Sequence, residues 1–151
     1  MTPRLARPDE AAAVAVLVER AYLPWVAAIG RRPAPMDDDY APHIAAGEVW
    51  VLADAAGIGA LCVLIEAPDH LLLDNVAVDP SRQGQGLGRA MIAHAEAVAR
   101  TRGHAELRLF TNVLMQRNID LYRRLGFAET HRARVGEHCR VFMVKRLRDE
   151  T

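Results

Sequence analysis

The chain has 151 residues, 51% of them hydrophobic, so it is long enough to bury a substantial core and is predicted to form one domain over 1–151. Its 19 basic and 19 acidic residues give a formal net charge of zero, which argues against nucleic acid or an anionic membrane as the principal partner. We identify no apolar run of membrane-spanning length and no signal-peptide core after Met1, so a cytoplasmic location is expected.

The N-terminal segment is predicted to contain a short strand at Leu5 and then a helix. Asp9 is the candidate N-cap for a helix over 11–22, where apolar residues recur at helical spacing. Pro24 and the segment 30–35, which is rich in arginine and proline, are expected to end this helix because proline cannot continue the helical hydrogen-bond pattern.

A second, short helix is expected next, capped by Asp37 or Asp38 and ending near Gly47. Three strands joined by tight turns follow, and these short connections favour an antiparallel meander. The predicted strands are 48–53, 57–65 and 71–78.

The second half of the chain alternates helices and strands. One helix places Leu87, Met91, Ala95 and Val98 on one face and stops at Gly103. A strand over 107–110, a helix over 115–125 and two strands over 127–134 and 138–146 complete the order β-α-α-β-β-β-α-β-α-β-β.

The most informative segment joins the strand 71–78 to the helix that follows it. Gly84, Gly86 and Gly88 alternate here, and glycine lets the backbone approach a ligand and adopt φ values that other residues avoid. The free N–H groups of the first helical turn favour an anion, helped by the helix dipole. The segment therefore predicts a diphosphate-binding loop, since an ordinary strand-to-helix turn does not need three glycines.

Two other glycine-rich loops are excluded by their spacing. A dinucleotide fingerprint would need glycine at the position of Arg89, and a Walker A loop would need a lysine, whereas the only lysine of the chain is Lys145. The remaining pattern is Q-x-x-G-x-G, carried by Gln83, Gly86 and Gly88. It resembles motif A of the GNAT superfamily, the acyl-CoA-dependent N-acyltransferases.

A second segment, 115–127, is similar to GNAT motif B, N-x-x-A-x-x-L-Y-x-x-x-G-F. The matching residues are Leu121, Tyr122, Gly126 and Phe127. Met115 replaces an asparagine that often bonds pantetheine, and Asn118, one helical turn before Tyr122, is a candidate for that contact. The resemblance implies the GNAT fold, an α/β (α+β) arrangement with a mixed, mostly antiparallel sheet of seven strands and four helices.

The resemblance also implies acetyl-CoA as cosubstrate, with no metal. In the family the pantetheine arm pairs with the backbone of a splayed strand, which here would be that of Val76, Ala77 and Val78. The pyrophosphate contacts would fall to Gln83, Gly84, Gln85, Gly86, Leu87, Gly88 and Arg89. Cys62 and Cys139 are interpreted as two buried thiols rather than a disulfide or a metal site, because they are far apart and neither has a partner at ligand spacing.

Two residues are predicted to move protons during acyl transfer to an amine. By resemblance, Tyr122 is the general acid toward the departing thiolate, although a half-buried aromatic on an amphipathic helix is the alternative. Asp74 is the first candidate for removing a proton from the amine, with a structural strand-end carboxylate as the alternative. Glu66 and the six histidines are weaker candidates.

The amine acceptor is expected to meet the first two helices and their loop, including Tyr22, Trp25 and Tyr40. The consecutive aspartates 37–39 could attract a cationic amine or could simply cap a helix. The sequence thus predicts an N-acetyltransferase acting on a primary amine of a small molecule or peptide in a ternary complex. A non-catalytic acetyl-CoA sensor is the alternative that Met115 favours, and a homodimer through the late strands is left open.

Overall fold

The structure, a computed structural model, describes residues 1–147. The strands are β1 (Arg4–Leu5), β2 (Val49–Asp54), β3 (Gly57–Glu66), β4 (Leu71–Val78), β5 (Glu106–Asn112), β6 (Ala128–Val135) and β7 (His138–Arg146). The helices are α1 (Ala11–Ile29), α2 (Tyr40–Ala45), α3 (Leu87–Thr101) and α4 (Gln116–Arg124). The predicted order of elements and fold class are confirmed, whereas the single domain over 1–151 stays a prediction because residues 148–151 lie outside the described part.

The strands form one sheet in the order β1-β2-β3-β4-β5-β7-β6, in which β4 and β5 are parallel and the other described pairs are antiparallel. One face of the sheet packs against α1 and α2 through a cluster that includes Val18, Ile44 and Val63. The other face packs against α3 and α4 through a cluster that includes Met91 and Ile119. The sheet is therefore the middle layer of three.

Helix α1 is longer than predicted, because it continues through Pro24. Proline removes one N–H donor from the ladder, but propensity is a weak determinant that tertiary contacts override. The helix ends where Gly30, at a φ of 81°, donates its N–H to the Val26 carbonyl at 2.9 Å. The predicted termination at Pro24 is therefore wrong.

The predicted helix caps are displaced by one or two residues. Asp9 lies inside a short 3-10 turn, Pro8–Glu10, that precedes α1. Helix α2 is capped by Asp39, whose carboxylate accepts the Ala41 N–H at 3.2 Å, rather than by Asp37 or Asp38. With several adjacent aspartates, local sequence does not determine which one caps the helix.

The segment Pro8–Ile29 is long and apolar enough to cross a membrane by length and composition, with a mean hydropathy of 1.6. This finding corrects the expectation that no such stretch occurs, because Glu19 and Arg20 interrupt the apolar run but leave its average high. A core helix or a signal sequence passes the same test. The residues that α1 buries against the sheet are Val14, Leu17 and Val18.

Strand β4 carries a β-bulge at Asp74. Leu73 pairs with Leu64 and Asn75 pairs with Val63, so Asp74 has no direct partner on β3. The extra residue reverses which side chains face each helical layer. Leu73 packs in the cluster under α3, whereas Ala77, four residues later, packs in the cluster under α1.

The pairing of β4 with β5 stops at the same place. It joins 71–73 to 107–109 and extends no further, although β5 continues to pair with β7 as far as Asn112. Among the described residues, the backbone of β4 from Asp74 onward therefore has no neighbouring strand on its β5 side. This is the splayed strand that the family resemblance implied.

Asn75 is buried, with 4% of its surface exposed, and it ties α1 and α2 to β4. Its Oδ1 accepts the Tyr22 hydroxyl at 2.6 Å, and its Nδ2 donates to the Tyr40 hydroxyl at 2.9 Å. Tyr40 in turn donates to the Pro35 carbonyl at 2.6 Å. This chain of bonds fixes the loop before α2 relative to the bulged strand.

We expect Asn75→Ala to lower the free energy of unfolding by about 2 kcal/mol, because it removes one hydrogen-bond partner from each of the Tyr22 and Tyr40 hydroxyls. Chemical denaturation measures the change. Asn112→Ala is the control, since the Asn112 Oδ1 accepts the exposed Leu114 N–H, and its loss should be less than half as large. Equal losses in the two variants would contradict a structural role for the Asn75 network.

Candidate functional site

A cavity of about 470 Å³ lies beside the unpaired part of β4, between α1, α3 and α4. Most residues predicted for the coenzyme line it: Val76, Ala77, Val78, Gln83, Gly84, Gly86, Leu87, Gly88, Arg89 and Asn118. Gln85 does not line it. Other residues on its wall include Tyr22, Trp25, Arg82, Met115, Leu121 and Tyr122.

Two glycines shape the loop before α3. Gly84 has a φ of 85° and Gly86 a φ of 77°, both in the left-handed region that favours glycine. Gly88 differs from the prediction, because it lies in the first turn of α3 without a positive φ. A Cβ at Gly88 would lie 3.4 Å from Val78 Cγ2, so glycine there allows close helix–strand packing.

The start of α3 presents unpaired backbone donors to the large cavity. The first N–H of this helix with a backbone acceptor is that of Ala90, which bonds the Gly86 carbonyl at 3.0 Å. The N–H groups of Leu87, Gly88 and Arg89 have no backbone acceptor within residues 1–147, and all three residues line the cavity. These donors fit a pyrophosphate.

Ion pairs hold this loop in place. Arg82 donates two hydrogen bonds to the Asp54 carboxylate, at 2.8 and 2.9 Å, and these bonds lower the pKa of Asp54. Asp79 accepts the Ser81 N–H at 3.0 Å and lies 3.1 Å from the Arg20 guanidinium. Arg82 also lines the cavity, a placement that sequence analysis missed because the residue lies outside the glycine pattern.

We expect Gly86→Ala to weaken CoA binding about tenfold or more, as measured by calorimetry. An alanine in the left-handed region costs about 1–2 kcal/mol, and the loop can relieve that strain by rotating the peptides that face the cavity. The change corresponds to about 1.4 kcal/mol or more of binding free energy.

Gly103→Ala is the matched control for Gly86→Ala. Gly103 has a φ of 79°, and an added Cβ would meet no atom within 4 Å, as at Gly86. Gly103 lies just beyond the other end of α3, away from the cavity. Both variants should lose similar stability, but only Gly86→Ala should weaken CoA binding, and equal affinities would contradict the loop assignment.

Tyr122 lies on α4 and lines the large cavity. Its ring packs edge-on against Phe127, with 5.9 Å between the ring centroids. Burial raises the pKa of Tyr122 to about 12, so the phenol is protonated at neutral pH. This is the form that a proton donor needs.

Asp74 lines a second, smaller cavity of about 50 Å³. Burial raises the pKa of Asp74, and the nearby Asp38 raises it further, while His43 and Arg140 act in the opposite sense. The other residues on its wall are Tyr22, Pro33, Ala34, Pro35, Phe110, Thr111, Asn112, Met115, His138 and Arg140. A carboxylate with a raised pKa is a better proton acceptor than an exposed one.

Tyr22 and Met115 line both cavities, so the two spaces adjoin. The Tyr22 hydroxyl also lies 3.3 Å from the Val76 carbonyl, on the unpaired stretch of β4. Asp74 and Tyr122 therefore lie on opposite sides of the same boundary. One cavity offers a proton acceptor and the other a proton donor.

The predicted acceptor-binding residues are placed differently from one another. Tyr22 lines both cavities, Trp25 lines the larger one, and Tyr40 lines neither, being 3% exposed and bonded to the Pro35 carbonyl. A substrate contact by Tyr40 stays a prediction. The aspartates of 37–39 are engaged in structural contacts with Arg32, His43 and the start of α2, which favours the capping alternative.

Sequence analysis missed the far wall of the smaller cavity, which β5 and β7 supply. Asn112 and Arg140 are paired neighbours on these strands, and the Arg140 guanidinium lies 4.2 Å from the Phe110 ring centroid. No motif in the sequence marks these residues. They meet Asp74 only because the sheet places β7 beside β5.

The described residues contain no group of three or more His, Cys, Asp or Glu that could hold a metal ion. Both cysteines are free thiols. Burial raises the pKa of Cys62 to about 12, whereas Cys139 is exposed, so the prediction of two buried thiols is wrong for Cys139. Neither cysteine lines either of the two cavities.

Curated proteins match part of this chain. The [ribosomal protein bS18]-alanine N-acetyltransferase of Escherichia coli K12 is 44% identical over 61 residues, which are 40% of this chain and 41% of the relative. The streptothricin acetyltransferase of Streptomyces lavendulae is 38% identical over 59 residues, 39% of this chain and 31% of the relative. The chain thus spans about two fifths or less of the length of these relatives.

The fold resembles that of the PaiA N-acetyltransferase from Thermoplasma acidophilum, whose crystal structure holds coenzyme A. The TM-score is 0.81 at 12% identity, over 97% of this chain and 98% of the other. The family model described as the acetyltransferase (GNAT) domain matches residues 45–129, more than half of the chain. With the glycine loop, the splayed strand and the motif B helix in place, the chain belongs to the GNAT acetyltransferase family.

Proposed function

We propose that this chain is an N-acetyltransferase that moves an acetyl group from acetyl-CoA to a primary amine of a small molecule or peptide. Attack is direct, within a ternary complex. The observation that carries the proposal is the pair of adjoining cavities, with Asp74 on one wall and Tyr122 on the other. Neither cysteine is positioned as an acyl carrier, since both lie away from these cavities.

The large cavity supplies binding and orientation. The free N–H groups of Leu87, Gly88 and Arg89 fit the coenzyme pyrophosphate, and the unpaired backbone of 76–78 fits an extended pantetheine arm. Met115 stands where the family often has an asparagine that bonds pantetheine. Asn118 lies on the α4 face that Tyr122 shares and lines the cavity, so it is suited to make that contact instead. Acetyl-CoA supplies the activated acyl group, and these residues hold it in place.

The two proton transfers are assigned to the titratable residues that line the two adjoining cavities. An alkylamine has an ordinary pKa of about 10.4, so it arrives protonated and must lose a proton before attack. Asp74 accepts that proton directly or through water, and Tyr122 donates one to the departing thiolate. Positioned proton transfer of this kind contributes about 10²- to 10⁴-fold to rate.

The relatives support an amine acceptor without fixing its class. One is named for a ribosomal protein alanine and the other for streptothricin, a protein and a small molecule respectively. The cytoplasmic location and the homodimer both stay predictions.

The test is release of free thiol from acetyl-CoA with pooled amines: polyamines, amino acids, aminoglycosides and peptides with free N-termini. Release above the no-acceptor control would support the transferase, and the pool is then divided until the acceptor is found. Tight CoA binding without release in any pool would favour the alternative, a non-catalytic acetyl-CoA sensor.

A further inference from the structure

The smaller cavity contains a cation that the proposed reaction does not use. Arg140 lines this cavity together with Asp74, and its side chain forms no ion pair or hydrogen bond with residues 1–147. Its guanidinium lies over the face of Phe110, 4.2 Å from the ring centroid. Stacking of this kind orients the planar group and leaves its N–H donors free.

An oriented, unpaired guanidinium is a receptor for an oxyanion. Its parallel N–H groups match the two oxygens of a carboxylate or of a phosphate-like group, and these charge-assisted bonds are the strong ones. Asp74, on the β4 side of the cavity, is also free of any ion pair with the described residues, and no pair joins it to Arg140. The cavity therefore presents one site for an ammonium and one for an anion.

The size and charge of the cavity narrow the ligand further. A volume of about 50 Å³ admits only the reacting end of a molecule. A purely cationic amine would lie near Arg140 without compensation, and like charges in a partly buried site disfavour binding. An amine that carries its own anion nearby satisfies both groups.

Resting on the proposed function, we propose that the acceptor is a small primary amine with a carboxylate or similar oxyanion a few bonds from its nitrogen, and that Arg140 binds this anion. The amine then faces Asp74 and the boundary formed by Tyr22 and Met115. The segment 33–35 lines the cavity as well. Free amino acids and aminophosphonates share this chemistry, whereas peptide N-termini lack the nearby anion.

The surrounding charges are consistent with this assignment. His138 also lines the cavity, and its Nδ1 lies 3.4 Å from the Asn112 Nδ2. An imidazole side chain adds no negative charge to the cavity. Asp38 and Glu48 act on Asp74 through space, but both bond to His43 rather than to Arg140. Arg31 pairs with Glu137 at 2.7 Å, which joins the loop after α1 to the turn between β6 and β7 and leaves Arg140 available.

The first test measures binding alone, by saturation-transfer NMR and calorimetry on the CoA-bound protein. The probes are pooled L-amino acids with β-alanine and 2-aminoethylphosphonate, against a matched pool of amino-acid amides and decarboxylated amines. At least one amine of the first pool should bind, and its counterpart that lacks the anionic group should bind about 100-fold more weakly. Failure of every anionic amine to bind, or equal binding of the counterparts, overturns the proposal.

Arg140→Gln should weaken the bound anionic amine about 100-fold and leave CoA affinity unchanged. Arg140→Lys retains the positive charge but not the parallel N–H groups of the guanidinium, so its loss of affinity for the anionic amine should be intermediate. Arg134→Gln is the matched control, since Arg134 lies on the same hairpin, is exposed and bonds the Gly136 carbonyl. Thermal melting checks that each variant is folded, and an unchanged affinity in folded Arg140→Gln overturns the assignment.

Thiol release separates this proposal from the transferase itself. Anion binding that depends on Arg140, with no thiol released from acetyl-CoA, would sustain the recognition site and contradict the transfer reaction. Thiol release with amines that lack an anionic group, if it is insensitive to Arg140→Gln, would sustain the transferase and overturn the anion site. Arg140→Glu should shift preference from amino acids toward diamines, a gain that a merely structural arginine would not produce.

Discussion

Tyr122→Phe is expected to lower kcat about 10²- to 10³-fold while the Kd for acetyl-CoA changes less than threefold. The substitution removes one oxygen from the wall of the large cavity and leaves the ring packed on Phe127. Burial raises the pKa of Tyr122 to about 12, so the wild-type hydroxyl holds its proton throughout the working range. The variant therefore loses the donor to the thiolate and little of the binding energy.

Single-turnover thiol release and calorimetry with CoA measure the two quantities separately. Tyr40→Phe is the matched control, because it removes a hydroxyl from a tyrosine that lines neither cavity. That control should lose stability through its bonds to Asn75 and Pro35, with a smaller change in kcat. Full turnover by Tyr122→Phe would remove Tyr122 from the mechanism.

The coenzyme-binding part of the site could be predicted from the sequence because local sequence patterns determine its structure. A strand that enters a helix through Gly84 and Gly86 needs left-handed backbone at those two positions, and glycine supplies it. Strand β4 occupies 71–78 as predicted, and Tyr122 with Asn118 lies on the wall that helical spacing implies. Each of these inferences depends on residues close together in the chain.

The acceptor-binding part of the site could not be predicted from the sequence, because it is assembled from segments that are far apart in the chain. Tyr22 and Arg140 share a cavity although 118 positions separate them, and only the pairing of β5 with β7 brings Arg140 there. The continuation of α1 through Pro24 has a similar origin, since a local rule predicts a break that tertiary contacts override.

The bulge at Asp74 connects the fold to the chemistry. Asp74 is the residue without a partner on β3, and it directly follows Leu73, the last β4 residue paired with β5. One irregularity in β4 thus marks both the opening in the sheet and the position of a carboxylate at that opening. A regular strand would have continued pairing and closed the space between the two cavities.

Asp74→Asn is expected to lower kcat/KM for the amine about 100-fold or more, because an amide cannot accept the proton. In the wild type, kcat/KM should rise with pH through the pKa of Asp74. Burial raises that pKa above its ordinary value near 3.8, so this acid limb is displaced upward. Asp74→Asn should lack this limb, and an acid limb that survives the substitution would assign the titration to another group.

Stability gives an independent check on Asp74, with the opposite sign from activity. A carboxyl whose pKa is raised by folding binds its proton more tightly in the folded state, so stability falls as pH rises from the ordinary pKa to the raised one, and the full cost remains at higher pH. Asp74→Asn should therefore have a higher free energy of unfolding than the wild type at pH 7, and the difference should vanish below the ordinary pKa. Denaturation at both pH values measures it.

Asp39→Asn is the matched control for the activity and stability tests of Asp74→Asn. Asp39 caps α2 through the Ala41 N–H and lines neither cavity, so its substitution should leave kcat/KM nearly unchanged and give no gain in stability. If Asp74 is the catalytic base, its carboxylate should lower the stability of the fold and be needed for turnover. If Asp74→Asn instead lost both stability and activity, Asp74 would be a structural strand residue, the alternative that the sequence left open.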